Sequence, residues 1–112
     1  MGRSQGSTRQ AVSRFSLEVL PEAEEELREA FLWYFERSPI AADAFRSLVI
    51  AAIDALADNA DMWPMSDDGL RYHVLSRFPY TVWYELSGEA VTILAIAHQH
   101  RRPRYWSSRE GS

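Results

Sequence analysis

The stretch from Ala90 to His98, Ala-Val-Thr-Ile-Leu-Ala-Ile-Ala-His, constrains this chain more than any other. It holds one polar residue, Thr92, before its terminal histidine, and it follows a Ser87-Gly88-Glu89 turn. A continuous apolar run of this length reads as a central strand buried on both faces. The chain is therefore expected to supply neighbouring strands and a covering layer. Residues 79–87, PYTVWYELS, are rich in aromatic and β-branched side chains and sit across a tight turn at Gly88, which predicts a hairpin. Residues 70–76 alternate, with Arg71, His73, Leu75 and Arg77 assigned to one face and Leu70, Tyr72 and Val74 to the other. Phe15, Leu17 and Val19 alternate within 14–20 and predict a first strand.

Between these strands lies helical patterning. Pro21 opens a helix, and Glu22, Glu24, Glu25 and Glu26 suit its positive end. Ala23, Leu27, Ala30, Phe31, Tyr34 and Phe35 recur at helical spacing through 21–37. Ser38-Pro39 ends that helix and begins a second, about 40–59, whose stripe is Phe45, Leu48, Val49, Ala52, Ile53 and Leu56. Residues 58–69 have loop chemistry. The predicted order is β-α-α-β-β-β, an α+β domain with a helical hairpin on a mainly antiparallel sheet. It spans 14–106, with a polar, flexible tail at 1–13 and a short C-terminal tail at 107–112.

Charge and composition narrow the function. The net charge is −4, but residues 1–68 carry six Arg against thirteen Asp and Glu (−7), while residues 69–112 carry six Arg against three Glu (+3). An acidic whole argues against a general nucleic-acid binder, whereas the cationic second half suits carboxylate or phosphate partners. With no cysteine, thiolate metal sites, disulfides and cysteine nucleophiles are excluded. No run is long and apolar enough for a membrane span, and no secretory signal is visible, so a cytoplasmic location is expected.

The densest cluster of reactive side chains is the end of the chain: His98, His100, Arg101, Arg102, Arg104, Tyr105 and Trp106. If the apolar strand is central, Arg71, Arg77 and His73 share a surface with it. Two readings stand side by side. In one, His98 or His100 is a general acid or base. Arg71, Arg77 or Arg101 then holds a phosphate, and Tyr105 or Trp106 stacks on a base. In the other, the arginines solvate an open sheet face and the histidines cap a strand end. His98 and His100 lack two further ligands at metal-site spacing, so no metal and no cofactor is expected. Glu24, Glu25 and Glu26 face different directions around their helix and read as a solvated face. Trp33 lies off its helix's main stripe and Trp83 shares a face with Thr81 and Glu85; each is either core or a patch covered by a partner.

The order of elements, with LPEAEEELREAFLWYFERSP, RYHVLSRFPYTVWYEL and VTILAIAHQHRRPRYW, resembles the RelE/ParE toxin superfamily of bacterial type II toxin–antitoxin systems. The features that carry the likeness are Pro21-Glu22-Ala23, Trp33-Tyr34, Arg71, Arg77-Phe78-Pro79-Tyr80, His98, Arg101 or Arg102, and Pro103-Arg104-Tyr105-Trp106. They are most similar to the ParE-like, plasmid-stabilisation branch. The resemblance implies a toxin neutralised by a cognate antitoxin, with which it forms a hetero-oligomer. RelE-like members cleave mRNA on the ribosome with a lysine- and arginine-rich site, whereas ParE-like members are associated with inhibition of DNA gyrase. Here the strand positions where the ribonucleases place lysine read Tyr72 and Val74, and the position after the next strand's tyrosine reads Thr81. These departures favour target binding, through Arg71, Arg77, His98, His100, Arg101, Arg102, Tyr105 and Trp106. The mRNA endoribonuclease stays open as the alternative, with His98, Arg71, Arg77, Arg101 and Tyr105 as its candidate catalytic residues. Phe31, Trp33, Tyr34 and Trp83 are the expected antitoxin contacts.

Overall fold

The computed structural model describes residues 13–100 together with Tyr105, Trp106 and Arg109. Arg101, Arg102 and Arg104, the tail at 1–12 and most of 107–112 lie outside the described residues. The elements are β1 (Ser16–Val19), α1 (Pro21–Arg37), α2 (Pro39–Asn59), a 3-10 turn (Ala60–Met62), β2 (Arg71–Val74), β3 (Tyr80–Ser87) and β4 (Ala90–His98). The expected α+β order is therefore observed. The helix break is tighter than expected, because Ser38 alone serves both helices. Its N–H donates to the carbonyl of Tyr34 at 2.7 Å, its Oγ accepts the N–H of Ala41 at 3.2 Å, and Pro39 starts α2.

The sheet order is β1-β4-β3-β2, so the apolar run is an interior strand, as its composition predicts. β4 pairs antiparallel with β3 and parallel with β1, which makes the sheet mixed. One face packs on the helices through Phe45, Val49 and Leu56 of α2 and Val82, Tyr84 and Ile93 of the sheet. Ala23 and Ala30 are the buried residues of α1, and their small size lets that helix lie close to β4. The other face carries a smaller cluster of Leu70, Leu94, Ala95 and Ala97, over which Trp106 is laid. β4 feeds both clusters by alternation, and a bulge shifts its phase: Trp83 pairs with Ala95 while Tyr84 pairs with Ile93, leaving Leu94 as the extra residue.

Beyond the 3-10 turn, the loop is fastened to the sheet by side chains. The Tyr84 hydroxyl donates to the carbonyl of Ala60 at 2.5 Å. Burial pushes its pKa up to about 12, so it stays a donor at any ordinary pH. Arg71 donates to the carbonyls of Asp61 at 3.3 Å and Trp63 at 2.7 Å. The Trp63 indole donates to Asn59 at 3.2 Å and stacks on His73 with ring centroids 3.9 Å apart.

That stack makes stability pH-dependent. His73 Nδ1 is buried with no hydrogen-bond partner among the described residues, and burial pushes the imidazole pKa below its ordinary 6.5. The folded state thus resists a proton that the unfolded chain accepts. The contribution is complete above about pH 6.5 and is lost as pH falls through the lowered folded value. Thermal unfolding between pH 7 and pH 5 should show the midpoint falling in the wild type and falling less in His73→Phe. Equal slopes in the two proteins would remove His73 as the cause.

Candidate functional site

The end of β4 meets the middle of α1 and the start of β3 in an open cleft of about 480 Å³. Its walls include Glu29, Trp33 and Tyr34 from the helix, and Tyr80 and His98 from the sheet. The strand register places His98 directly opposite Tyr80, and the two rings meet edge to face at 5.0 Å. His98 Nδ1 accepts the backbone N–H of His100 at 3.0 Å. Because an amide only donates, the neutral ring carries its proton on Nε2. Tyr34 and Tyr80 are held from behind by Phe45, at centroid distances of 5.1 Å and 4.9 Å.

At the edge of the cleft stands Glu26, which behaves unlike its acidic neighbours. Its carboxylate accepts the backbone N–H of Ile96 at 2.9 Å and the Tyr105 hydroxyl at 2.6 Å. It also pairs with Arg109 at 3.2 Å, the two side chains being only 12% and 17% exposed. Arg109 in turn donates to the carbonyl of Leu94 at 2.9 Å. The reason lies in the sheet. β1 ends at Val19, opposite Ile93, and past that point the backbone of β4 finds side-chain partners instead of a strand. Glu26 and Arg109 supply an acceptor and a donor there, and so anchor the C-terminal segment across the strand.

The expected site residues do not share one surface. Arg71 and His73 lie on the helix-side face, beneath the loop at Asp61–Trp63, rather than projecting from an open sheet. β2 ends at Val74, so the alternation does not extend to Arg77, which is exposed in the bend before β3. Trp106 is only 4% exposed and stacks on Trp83 at 4.7 Å, so both indoles belong to the rear cluster rather than a free contact surface. Tyr105 is tied to Glu26. Phe31, Trp33 and Tyr34 lie on the helical side, where Trp33 is 51% exposed, with Leu32, Phe35 and Ile40 also exposed on the hairpin. Trp83 is on the opposite side of the sheet from them. Arg101 and Arg102 are outside the described residues.

Arg109 was not singled out by the sequence pattern, and Glu26, expected with Glu24 and Glu25 on a solvated face, is instead turned inward and paired. Glu26 lies three residues after Ala23 and four before Ala30, on the buried stripe, which marks it as an inward carboxylate needing a partner. By contrast, Glu25 is solvated as expected and pairs with Arg28, which holds its carboxyl below the usual range.

Among the described residues no group of three His, Asp or Glu side chains is arranged to hold a metal ion, and no helix is long and apolar enough to cross a membrane. Among curated proteins, Toxin RelE3 of Caulobacter vibrioides is 28% identical over 89 residues, covering 78% of this chain and 97% of that protein. Among solved structures, a chain of the chromosomal ParDE TA system from P. aeruginosa shares the fold with a TM-score of 0.68 at 21% identity, over 76% of this chain and 96% of that one. Residues 17–103 match the family described as the ParE toxin of type II toxin-antitoxin system, parDE. That match runs from β1 through α1, α2 and the whole sheet, and the chain belongs to the ParE toxin family of type II toxin–antitoxin systems.

Proposed function

We propose that this toxin acts in the cytoplasm by binding a protein target, with DNA gyrase as the expected one, and that a cognate antitoxin holds it inactive in a hetero-oligomer. The observation that supports binding over RNA cleavage is the separation of Arg71 from His98. Arg71 pairs with Tyr84 and His98 with Tyr80, four residues apart along β3. That is about 13 Å of strand, too far for both to serve one scissile phosphate. Arg71 is also committed to two loop carbonyls. His98 faces a cleft walled by Glu29, and a carboxylate there repels a phosphate.

The gyrase target is what the resemblance to ParE-like toxins implies, and the antitoxin is implied by the family's description as the toxin of a type II toxin-antitoxin system, parDE. Purified toxin should slow gyrase supercoiling as its molar excess rises, leave ribosome-bound mRNA intact, and lose both growth inhibition and the gyrase effect when the antitoxin is added. Supercoiling that stays unchanged at high excess counts against gyrase. Cleavage of mRNA that disappears in His98→Ala would establish the endoribonuclease instead.

A further inference from the structure

We propose that the cleft between α1 and the β3–β4 ends is a receptor for a single arginine side chain presented by a partner protein. The proposal deepens the reading above, on which only the identity of the partner rests. Three observations carry it. First, the acidic residues of α1 are not equally committed. Glu25 is paired with Arg28, Glu26 with Arg109 and Glu36 with Arg37, while Glu29 forms no ion pair among the described residues. Glu29, which lies beside the Glu25–Arg28 pair, is a cleft-wall carboxylate that holds no guanidinium of its own among the described residues. Second, the remaining walls are largely aromatic, from Trp33, Tyr34 and Tyr80. Such walls accept the apolar stem of an arginine and stack against its planar head.

Third, the same indole already binds a guanidinium. Arg37 lies over the Trp33 ring at 3.7 Å and donates to the Trp33 carbonyl at 2.8 Å. Arg37 thus occupies one face of this ring, which shows that the indole accepts a guanidinium and leaves Tyr34 and Tyr80 as the walls for a second one. A volume of about 480 Å³, open to solvent, admits one such side chain together with the residues flanking it. A lysine would satisfy the charge but neither the planar stacking nor a bidentate contact to Glu29.

The test uses the full chain and nuclear magnetic resonance titration of the indole N–H signals, with Trp33→Phe assigning the Trp33 resonance. The probes are an acetylated, amidated Leu-Ala-Arg-Ala-Leu peptide and the same peptide with citrulline, which keeps the shape and removes the charge. The arginine peptide should move the Trp33 signal. The citrulline peptide on wild type, and the arginine peptide on Glu29→Gln, should each bind at least about tenfold more weakly, as expected for one lost charge-assisted contact. No shift with the arginine peptide, or equal affinity for both peptides, overturns the proposal. So does a six-nucleotide RNA that moves the Trp33 signal more readily than the peptide. A separate arm uses the purified product of the adjoining reading frame. Binding to wild type that weakens at least about tenfold in Glu29→Arg supports the proposal in its natural setting. Binding unaffected by that change overturns it and leaves the antitoxin reading intact. Failure of the adjoining product to bind at all, with the peptide still binding, overturns the antitoxin reading and leaves the receptor standing.

Discussion

Replacing Glu26 by alanine is expected to lower the thermal midpoint by about 15 °C, from a loss of roughly 3 kcal/mol. The substitution removes the acceptor for three donors at once: the Ile96 amide, the Tyr105 hydroxyl and the Arg109 guanidinium. An amide and a hydroxyl left without partners in a part-buried setting each cost free energy. The arginine keeps only the Leu94 carbonyl, which loosens the hold on Tyr105, Trp106 and Arg109. That loosening uncovers Trp106 from Trp83, so the fluorescence of the variant should shift to longer wavelength under native conditions. Glu26→Gln keeps an oxygen acceptor for the amide and offers an NH2 that can donate to the Tyr105 oxygen, and should cost less than half as much. An unshifted emission spectrum with an unchanged midpoint in Glu26→Ala would refute the anchoring role.

A second large effect is expected at Phe45. Its ring is wholly buried and touches three aromatic rings, Tyr34 at 5.1 Å, Phe78 at 5.3 Å and Tyr80 at 4.9 Å. Tyr34 comes from α1 and Phe78 and Tyr80 from the short segment entering β3, so no single side chain can move in to refill the space. Phe45→Ala should therefore cost about 3–5 kcal/mol, near the top of the range for core truncations. In a domain whose total stability is on the order of 5–15 kcal/mol, that leaves little margin. The urea midpoint should fall with the slope of the transition unchanged, since the surface exposed on unfolding stays nearly the same. The same ring backs two walls of the cleft, so binding measured at low temperature, where the variant is still folded, should weaken as well. A stable variant with a normal midpoint would show that the aromatic cluster repacks.

Local chemistry made most of the fold readable. Pro21, Pro39 and Gly88 punctuate the chain where the elements begin or turn, and the run from Ala90 to His98 announces an interior strand before any partner is known. The parallel pairing of β1 with β4 was not readable, because nothing in four residues of alternating strand specifies which neighbour they join. The site was harder still. Alternation through 70–77 put Arg71, His73 and Arg77 on one open face, but the strand stops at Val74 and the loop at Asp61–Trp63 folds over the first two. A period-2 pattern reports which side a residue takes, not what lies on top of that side. Trp106 looked like a free aromatic at the end of the chain for the same reason. It is buried against Leu70, Leu94 and Trp83, and the neighbouring Tyr105 is held by Glu26, contacts that join parts of the chain far apart in sequence.

The extra residue at Leu94 has a consequence for how this strand tolerates change in length. Before it, Val91 and Ile93 turn toward the helices; after it, Ile96 does, so the two halves of β4 run out of phase with each other. The helix-facing role thus passes from odd to even positions within one strand. Deleting Leu94 would remove the extra residue and leave plain alternation, with Val91, Ile93, Ile96 and His98 still on the helix side. His98 would stay opposite Tyr80, and only the Leu94 side chain would be lost from the rear cluster. At this point the strand carries one residue more than its pairing needs. A one-residue deletion there should therefore leave the cleft half of the strand in place.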